Sequence, residues 1–170
     1  MSKPAASHVS PDVSATHEEL VQKFKQHMIP HEGDRNDVYL DSLGKPTVGI
    51  GHLVVPSDGL KVGDRISDEE KDAFWRQDSA KALQAAQKQM LEAGITDPNF
   101  LFALADVNFQ LGSEWYKEFK KTWALILEGD YDAAALEAQD SDWYEQSRNR
   151  VKAFQEALRA LQPKSKSGQR

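Results

Sequence analysis

An α+β fold, mostly helical with one small antiparallel sheet near the N-terminus, is predicted by three features of this 170-residue sequence. Apolar residues recur at helical spacing over most of the chain. Short β-favouring pieces broken by glycine and proline occur in one stretch only, from Asn36 to about Val55. A capping box, Ser67 with Glu70, then opens a long helical pattern.

Taken in order, residues 1–16 are rich in Ser, Ala and Pro and lack the basic start and apolar centre of a secretory signal. They read as a flexible tail. The first helix is predicted from about His17 to Ile29, with Leu20, Val21, Phe24 and Met28 on one face. Pro30 predicts that regular helix stops by Ile29. The sheet follows, in pieces such as Asp37-Val38-Tyr39 and Thr47-Val48-Gly49-Ile50. The helix opened by Ser67 runs to about Ala93 and ends at Gly94. Asp97-Pro98 starts the next, which continues to Leu111. Gly112, Gly129 and Ser141 separate further helices near 114–128, 131–139 and 144–161. The predicted organisation is a single domain over 17–162 between flexible tails at 1–16 and 163–170. Within it, a small β-bearing lobe (about 31–66) and a helical lobe (about 94–162) are joined by the long helix (about 67–93) acting as a strut.

Composition narrows the function. Hydrophobic residues make up 39% and charged residues 28%, an ordinary globular balance. No apolar run approaches the roughly 18 residues that a membrane span needs, so stable membrane insertion is not expected. The net charge of −6 argues against a nucleic-acid partner. With no cysteine, neither a disulfide nor a thiolate metal site can form. No His cluster has ligand spacing either, so no metal or other cofactor is expected.

Chemistry concentrates between Glu32 and His52. Glu32 stands at the end of the first helix, and Asp41 and Thr47 stand on the sheet after it. A helix end facing a hairpin makes a cleft in which acidic and hydroxyl groups converge. Glycosidic cleavage needs one carboxyl to protonate the leaving oxygen and another to position or activate water. The acid must be held protonated by a partly buried site, for which Glu32 is better placed than Asp41. In a chain with 27 acidic residues, such a pair also fits plain surface charge.

The full block resembles the phage-type lysozymes and endolysins, a glycoside hydrolase family. The likeness rests on Glu32-Gly33, Asp41 nine residues on, Thr47 six beyond that, and then Gly49-Ile50-Gly51-His52. It extends to Phe74-Trp75-Arg76-Gln77-Asp78, to Asn108-Phe109-Gln110-Leu111-Gly112 and to Trp143 through Arg150, covering about residues 17 to 161. The resemblance implies a lysozyme-like two-lobe fold and a muramidase. Glu32 is then the general acid, Asp41 holds or activates the water, and Thr47 helps place it. Members with this trio look like inverting enzymes. By the same resemblance, Leu53, Phe109 and Gln110 contact substrate, Arg150 orients Glu32, and His52 pairs with Asp78 as a structural tie; by residue type alone His52 also suits acid–base chemistry in the cleft. Phe109 also suits a core position, and the four tryptophans read mainly as packing. Gly49 and Gly51 serve tight backbone conformations and close sugar approach, or are plain turn glycines. Two departures stand out: Pro30-His31 precede the acid, and Leu43 replaces a polar cleft residue of some relatives.

The expectation is therefore an endolysin acting as a monomer on bacterial peptidoglycan. It would accumulate in the host cytoplasm and reach the wall through a holin lesion. Alternatives are a lysozyme-fold effector or bacteriocin, a non-catalytic wall-binding module, and a lytic transglycosylase. The last needs one acid but not the Asp41 and Thr47 pair.

Overall fold

The structure, a computed structural model, describes residues 10–161. It is mostly helical, with one three-stranded antiparallel sheet in the order β1-β2-β3. The chain divides into two compact units, one up to Ala80 and the other from Lys81 on. The first nine residues of the expected N-terminal tail and the expected tail at 163–170 lie outside the described residues.

In the first unit, helix α1 spans Ser10–Glu32. It opens seven residues ahead of the expected His17, inside the stretch read as tail. Pro11 stands in its first turn, where no intrahelical N–H is needed. At the other end α1 passes through Pro30 to Glu32, three residues beyond the expected stop. Proline there removes a single rung, and Gly33 N–H still closes the last turn onto the Ile29 carbonyl at 2.8 Å. Gly33 takes the left-handed φ of 77° that ends a helix without Cβ strain.

Strands β1 (Arg35–Leu40), β2 (Pro46–Gly49) and β3 (His52–Leu53) follow. Tyr39 stands opposite Thr47 and Thr47 opposite Leu53, while an irregularity breaks the β1–β2 register between Arg35 and Tyr39. The outer edge of β1 is covered: Val38 N–H bonds the Asp64 carbonyl and Ile66 N–H the Asn36 carbonyl, both at 2.8 Å. Val38, Val48 and Ile66 form the buried layer of the sheet, with Val54, Leu60 and Phe74 packed against it.

Helix α2 (Asp68–Ala93) carries the capping box in full. Glu70 N–H meets Ser67 Oγ at 3.0 Å, and Ser67 N–H meets Glu70 Oε1 at 2.8 Å. Its early part fastens α1 within the first unit: Trp75 Nε1 donates to the Val21 carbonyl, and its ring lies 5.2 Å from Phe24. Such buried rings dominate core energetics, with about 3–5 kcal/mol lost on truncation to alanine.

The second unit holds the rest of α2 and helices α3 (Phe100–Leu111), α4 (Trp115–Glu118), α5 (Lys120–Glu128), α6 (Tyr131–Gln139), α7 (Asp142–Gln146) and α8 (Arg148–Arg159). Its core is an aromatic cluster in which Phe154 meets Phe100, Trp115 and Trp143 at 5.8–6.2 Å. Three boundaries differ from the sequence reading. Asp97-Pro98 form a turn ahead of α3, with Asp97 Oδ1 accepting from Asn99 N–H. The helix expected over 114–128 breaks at Phe119, whose ring turns to Trp143 at 5.8 Å. The one expected over 144–161 breaks at Ser147, whose hydroxyl accepts from Gln110. In both cases one tertiary contact outweighs local helix preference. Among the described residues, no helix is long and apolar enough to cross a membrane.

Candidate active site

The first unit brings Glu32, Asp41 and Thr47 onto the α1 terminus and the sheet that follows it. Glu32 is the last residue of α1, and its carboxyl lies on the β2–β3 turn. A Cβ placed on Gly51 would stand 2.6 Å from Glu32 Cδ and 2.7 Å from Oε1. Only glycine leaves room there, and its φ of 69° also disfavours an ordinary side chain. The close approach at Gly51 is thus made by the protein's own carboxyl.

Asp41 opens the loop between β1 and β2. Its Oδ1 accepts from Leu43 N–H at 2.9 Å and Lys45 N–H at 2.8 Å, a side-chain turn that shapes the loop. Its Oδ2 makes no hydrogen bond among the described residues. Thr47, 3% exposed, donates from Oγ1 to the Lys45 carbonyl at 2.9 Å. That same carbonyl accepts Asp41 N–H at 2.9 Å. Asp41 and Thr47 are therefore fixed to one backbone oxygen, with Asp41 Oδ2 and the Thr47 lone pairs still able to accept.

Tyr39 carried no sequence signal beyond its place in a β piece. Its hydroxyl donates to the Glu32 carbonyl at 3.4 Å. Burial pushes its phenol pKa above the ordinary value; the nearby Glu32 and Asp41 carboxyls add to the rise and the Arg35 guanidinium works against it. Both carboxylates act electrostatically on this one ring.

His52 is 8% exposed and stacks on Phe74, with ring centroids 3.9 Å apart. Its Nδ1 lies 2.7 Å from Asp78 Oδ2 and its Nε2 2.9 Å from Asp58 Oδ2. No sequence signal marked Asp58, which also accepts Val55 N–H at 3.0 Å within a short 3-10 turn, Pro56–Asp58. Burial works against the imidazolium, yet the two carboxylates outweigh it and hold the His52 pKa above its ordinary value. Leu53, next along β3, is 48% exposed.

In the second unit, Phe109 and Gln110 are half-buried on α3. The Gln110 amide is engaged at both ends, accepting from Trp143 Nε1 at 2.9 Å and donating to Ser147 Oγ at 2.7 Å. Arg150 forms a largely buried ion pair with Asp106, its Nε 3.1 Å from Asp106 Oδ1. Asp106 too carried no sequence signal. All four tryptophans are buried, at most 9% exposed.

Comparison with known proteins agrees with this architecture. The family model for phage lysozyme matches residues 30–160. The chain is 27% identical over 153 residues to "Probable T4-type lysozyme 2" of Dictyostelium discoideum, covering 77% of this chain and 90% of that protein. It is 26% identical over 134 residues to "Peptidoglycan hydrolase gp36" of Pseudomonas phage phiKMV, covering 79% of this chain. It is also 28% identical over 142 residues to "Pre-baseplate central spike protein Gp5" of Enterobacteria phage T4, covering 71% of this chain. The chain spans only 15% and 24% of the length of those two phage proteins. It belongs to the phage lysozyme family. By that membership it is a lysozyme-type peptidoglycan hydrolase.

Proposed function

We propose that this protein hydrolyses the β-1,4 bond between N-acetylmuramic acid and N-acetylglucosamine in bacterial peptidoglycan, with inversion at the anomeric carbon. Glu32 protonates the departing sugar oxygen, and Asp41 with Thr47 holds the attacking water. Leu53, Phe109 and Gln110 contact the glycan. We further propose that it serves to lyse a bacterial host, reaching the wall through a holin lesion.

One observation carries the reading: Asp41 and Thr47 are anchored to the same Lys45 carbonyl, while Asp41 Oδ2 is left to accept. The Thr47 O–H is spent on that carbonyl, so its oxygen faces a water as acceptor. A water that donates one proton to Asp41 and the other to Thr47 has its lone pairs turned away from both, toward an electrophilic carbon. Inverting glycosidases place such a water between carboxyls about 6.5–9.5 Å apart.

The experiment is digestion of purified peptidoglycan followed by mass spectrometry. Hydrolysis gives reducing ends, whereas anhydro-muramic ends would overturn the reading in favour of a transglycosylase. Glu32→Gln is expected to abolish lysis of outer-membrane-permeabilised Gram-negative cells while retaining the helical circular dichroism of the wild type.

A further inference from the structure

The end of α1, which carries the proposed acid, is one helical rung short. Pro30 has no N–H, so the rung that would reach the Gln26 carbonyl is missing from the last turns. The carbonyls of the final turn have no later helical N–H to meet. Gly33 N–H returns to the Ile29 carbonyl, and the Glu32 carbonyl is met from outside the helix by the Tyr39 hydroxyl.

Tyr39 is itself fixed from several sides. In the β1–β2 ladder it stands opposite Thr47, and it lies two residues before Asp41. The Arg35 guanidinium covers its ring, 4.1 Å from the centroid. Arg35 is in turn held by Asp37, with Nη2 2.6 Å from Oδ2 and Nε 3.2 Å from Oδ1.

We propose that Tyr39 is a positioning residue for Glu32: its hydroxyl caps the carbonyl end of α1 and ties the acid to the strand leading to Asp41. The inference rests on the reading of Glu32 as general acid. The 3.4 Å separation is long for O–H···O, so the contact steers the helix end and does not clamp it. A tyrosine phenol, with an ordinary pKa of about 10, is a neutral donor through neutral pH. Because the hydroxyl is turned to α1, its loss acts on the acid's placement and leaves sugar binding alone. A small misplacement of a reacting group is enough to slow turnover.

The test is steady-state kinetics on solubilised peptidoglycan for Tyr39→Phe, Pro30→Ala, the double variant and Glu32→Gln. Tyr39→Phe is expected to lower kcat severalfold, less than the roughly tenfold of a full-strength hydrogen bond, with KM within about twofold of wild type and a thermal midpoint lowered by at most a few degrees. Pro30→Ala restores the missing rung, so it should change kcat little by itself and recover most of the loss in the double variant. Wild-type kcat in Tyr39→Phe, a loss seen in KM instead, or no recovery in the double variant would each overturn the proposal. Glu32→Gln separates the two levels. If it is inactive while Tyr39→Phe is normal, only the positioning role falls; if Glu32→Gln is fully active, the acid assignment falls.

Discussion

The carboxyl of Glu32 rests on the Cα of Gly51, close enough that a single added methyl would stand 2.6 Å from Glu32 Cδ. The contact joins the last residue of a helix to a turn nineteen positions later. It gives the spacing of the Glu-Gly and Gly-x-Gly-His elements a physical reason. The second glycine of the turn is the floor on which the acid sits.

Substituting alanine at Gly51 should therefore act twice. The left-handed backbone costs about 1 kcal/mol for any side chain, and the methyl also drives Glu32 out of place. Gly59 has the same positive φ of 69°, but a methyl added there would meet nothing within 4 Å, so Gly59→Ala isolates the backbone strain. Both variants should lose similar stability in urea unfolding, while only Gly51→Ala loses turnover, by about 10²-fold or more. Equal activity in the two would mean that the seat under Glu32 is irrelevant to catalysis.

The His52 cluster predicts a stability that depends on pH. Burial opposes the charged ring, but Asp78 and Asp58 prevail and raise its pKa. The folded state thus binds this proton more tightly than the unfolded chain does. That contribution is complete below the ordinary value of about 6.5 and is lost as pH rises through the raised one. Asp58 runs the other way. Burial is outweighed by the Val55 N–H and by His52, its pKa is lowered, and its contribution disappears as pH falls through that lowered value. Unfolding free energies of wild type and His52→Gln should converge as pH climbs from about 6.5 into the alkaline range. Parallel curves would refute the linkage.

What could be read from the sequence followed from whether a signal was local. The Ser67–Glu70 box involves residues three apart, and both its hydrogen bonds are present. Glycine punctuation around Gly49 and Gly51 likewise marked the sheet. Pro30 misled because a proline near a helix end removes one rung and leaves the chain free to continue. Phe119 and Ser147 misled because each leaves helical geometry for a partner far along the chain, Trp143 and Gln110 respectively. In the site, the spacing of Glu32, Asp41 and Thr47 was legible. Tyr39, Asp58 and Asp106 were not, since an ordinary tyrosine in a strand and two of 27 acidic residues carry no pattern until the fold gives them neighbours.

A buried polar network in the second unit should be as unforgiving as any core residue. Gln89 and Asn108, 4% and 5% exposed, exchange amide hydrogen bonds at 2.8 and 2.9 Å. Gln89 also accepts from Trp115 Nε1 at 3.1 Å and donates to the Ser113 carbonyl at 3.2 Å. Leucine at position 89 fills the space but strands the Trp115 N–H and the Asn108 oxygen. Each such buried group costs about 1–3 kcal/mol, so Gln89→Leu should lose about 2–6 kcal/mol in urea unfolding. A variant as stable as wild type would show that these groups find other partners.

Asp41 offers the sharpest separation of shape from charge. Its Oδ1 organises the β1–β2 loop by accepting the Leu43 and Lys45 N–H groups. Its Oδ2 is the atom the proposed mechanism uses. Asparagine can keep both loop bonds through its carbonyl oxygen, but it puts an amide donor where the carboxylate would receive the water's proton. Alanine loses the loop bonds and the charge together. Asp41→Asn should therefore melt near wild type yet fall about 10²–10⁴-fold in kcat, the usual range for removing a general base. Asp41→Ala should be equally slow and also less stable, by about 1–2 kcal/mol. Calorimetry alongside turnover on peptidoglycan checks both. If Asp41→Asn turned over normally and only Asp41→Ala were impaired, Asp41 would be a loop-former and the water would be activated elsewhere.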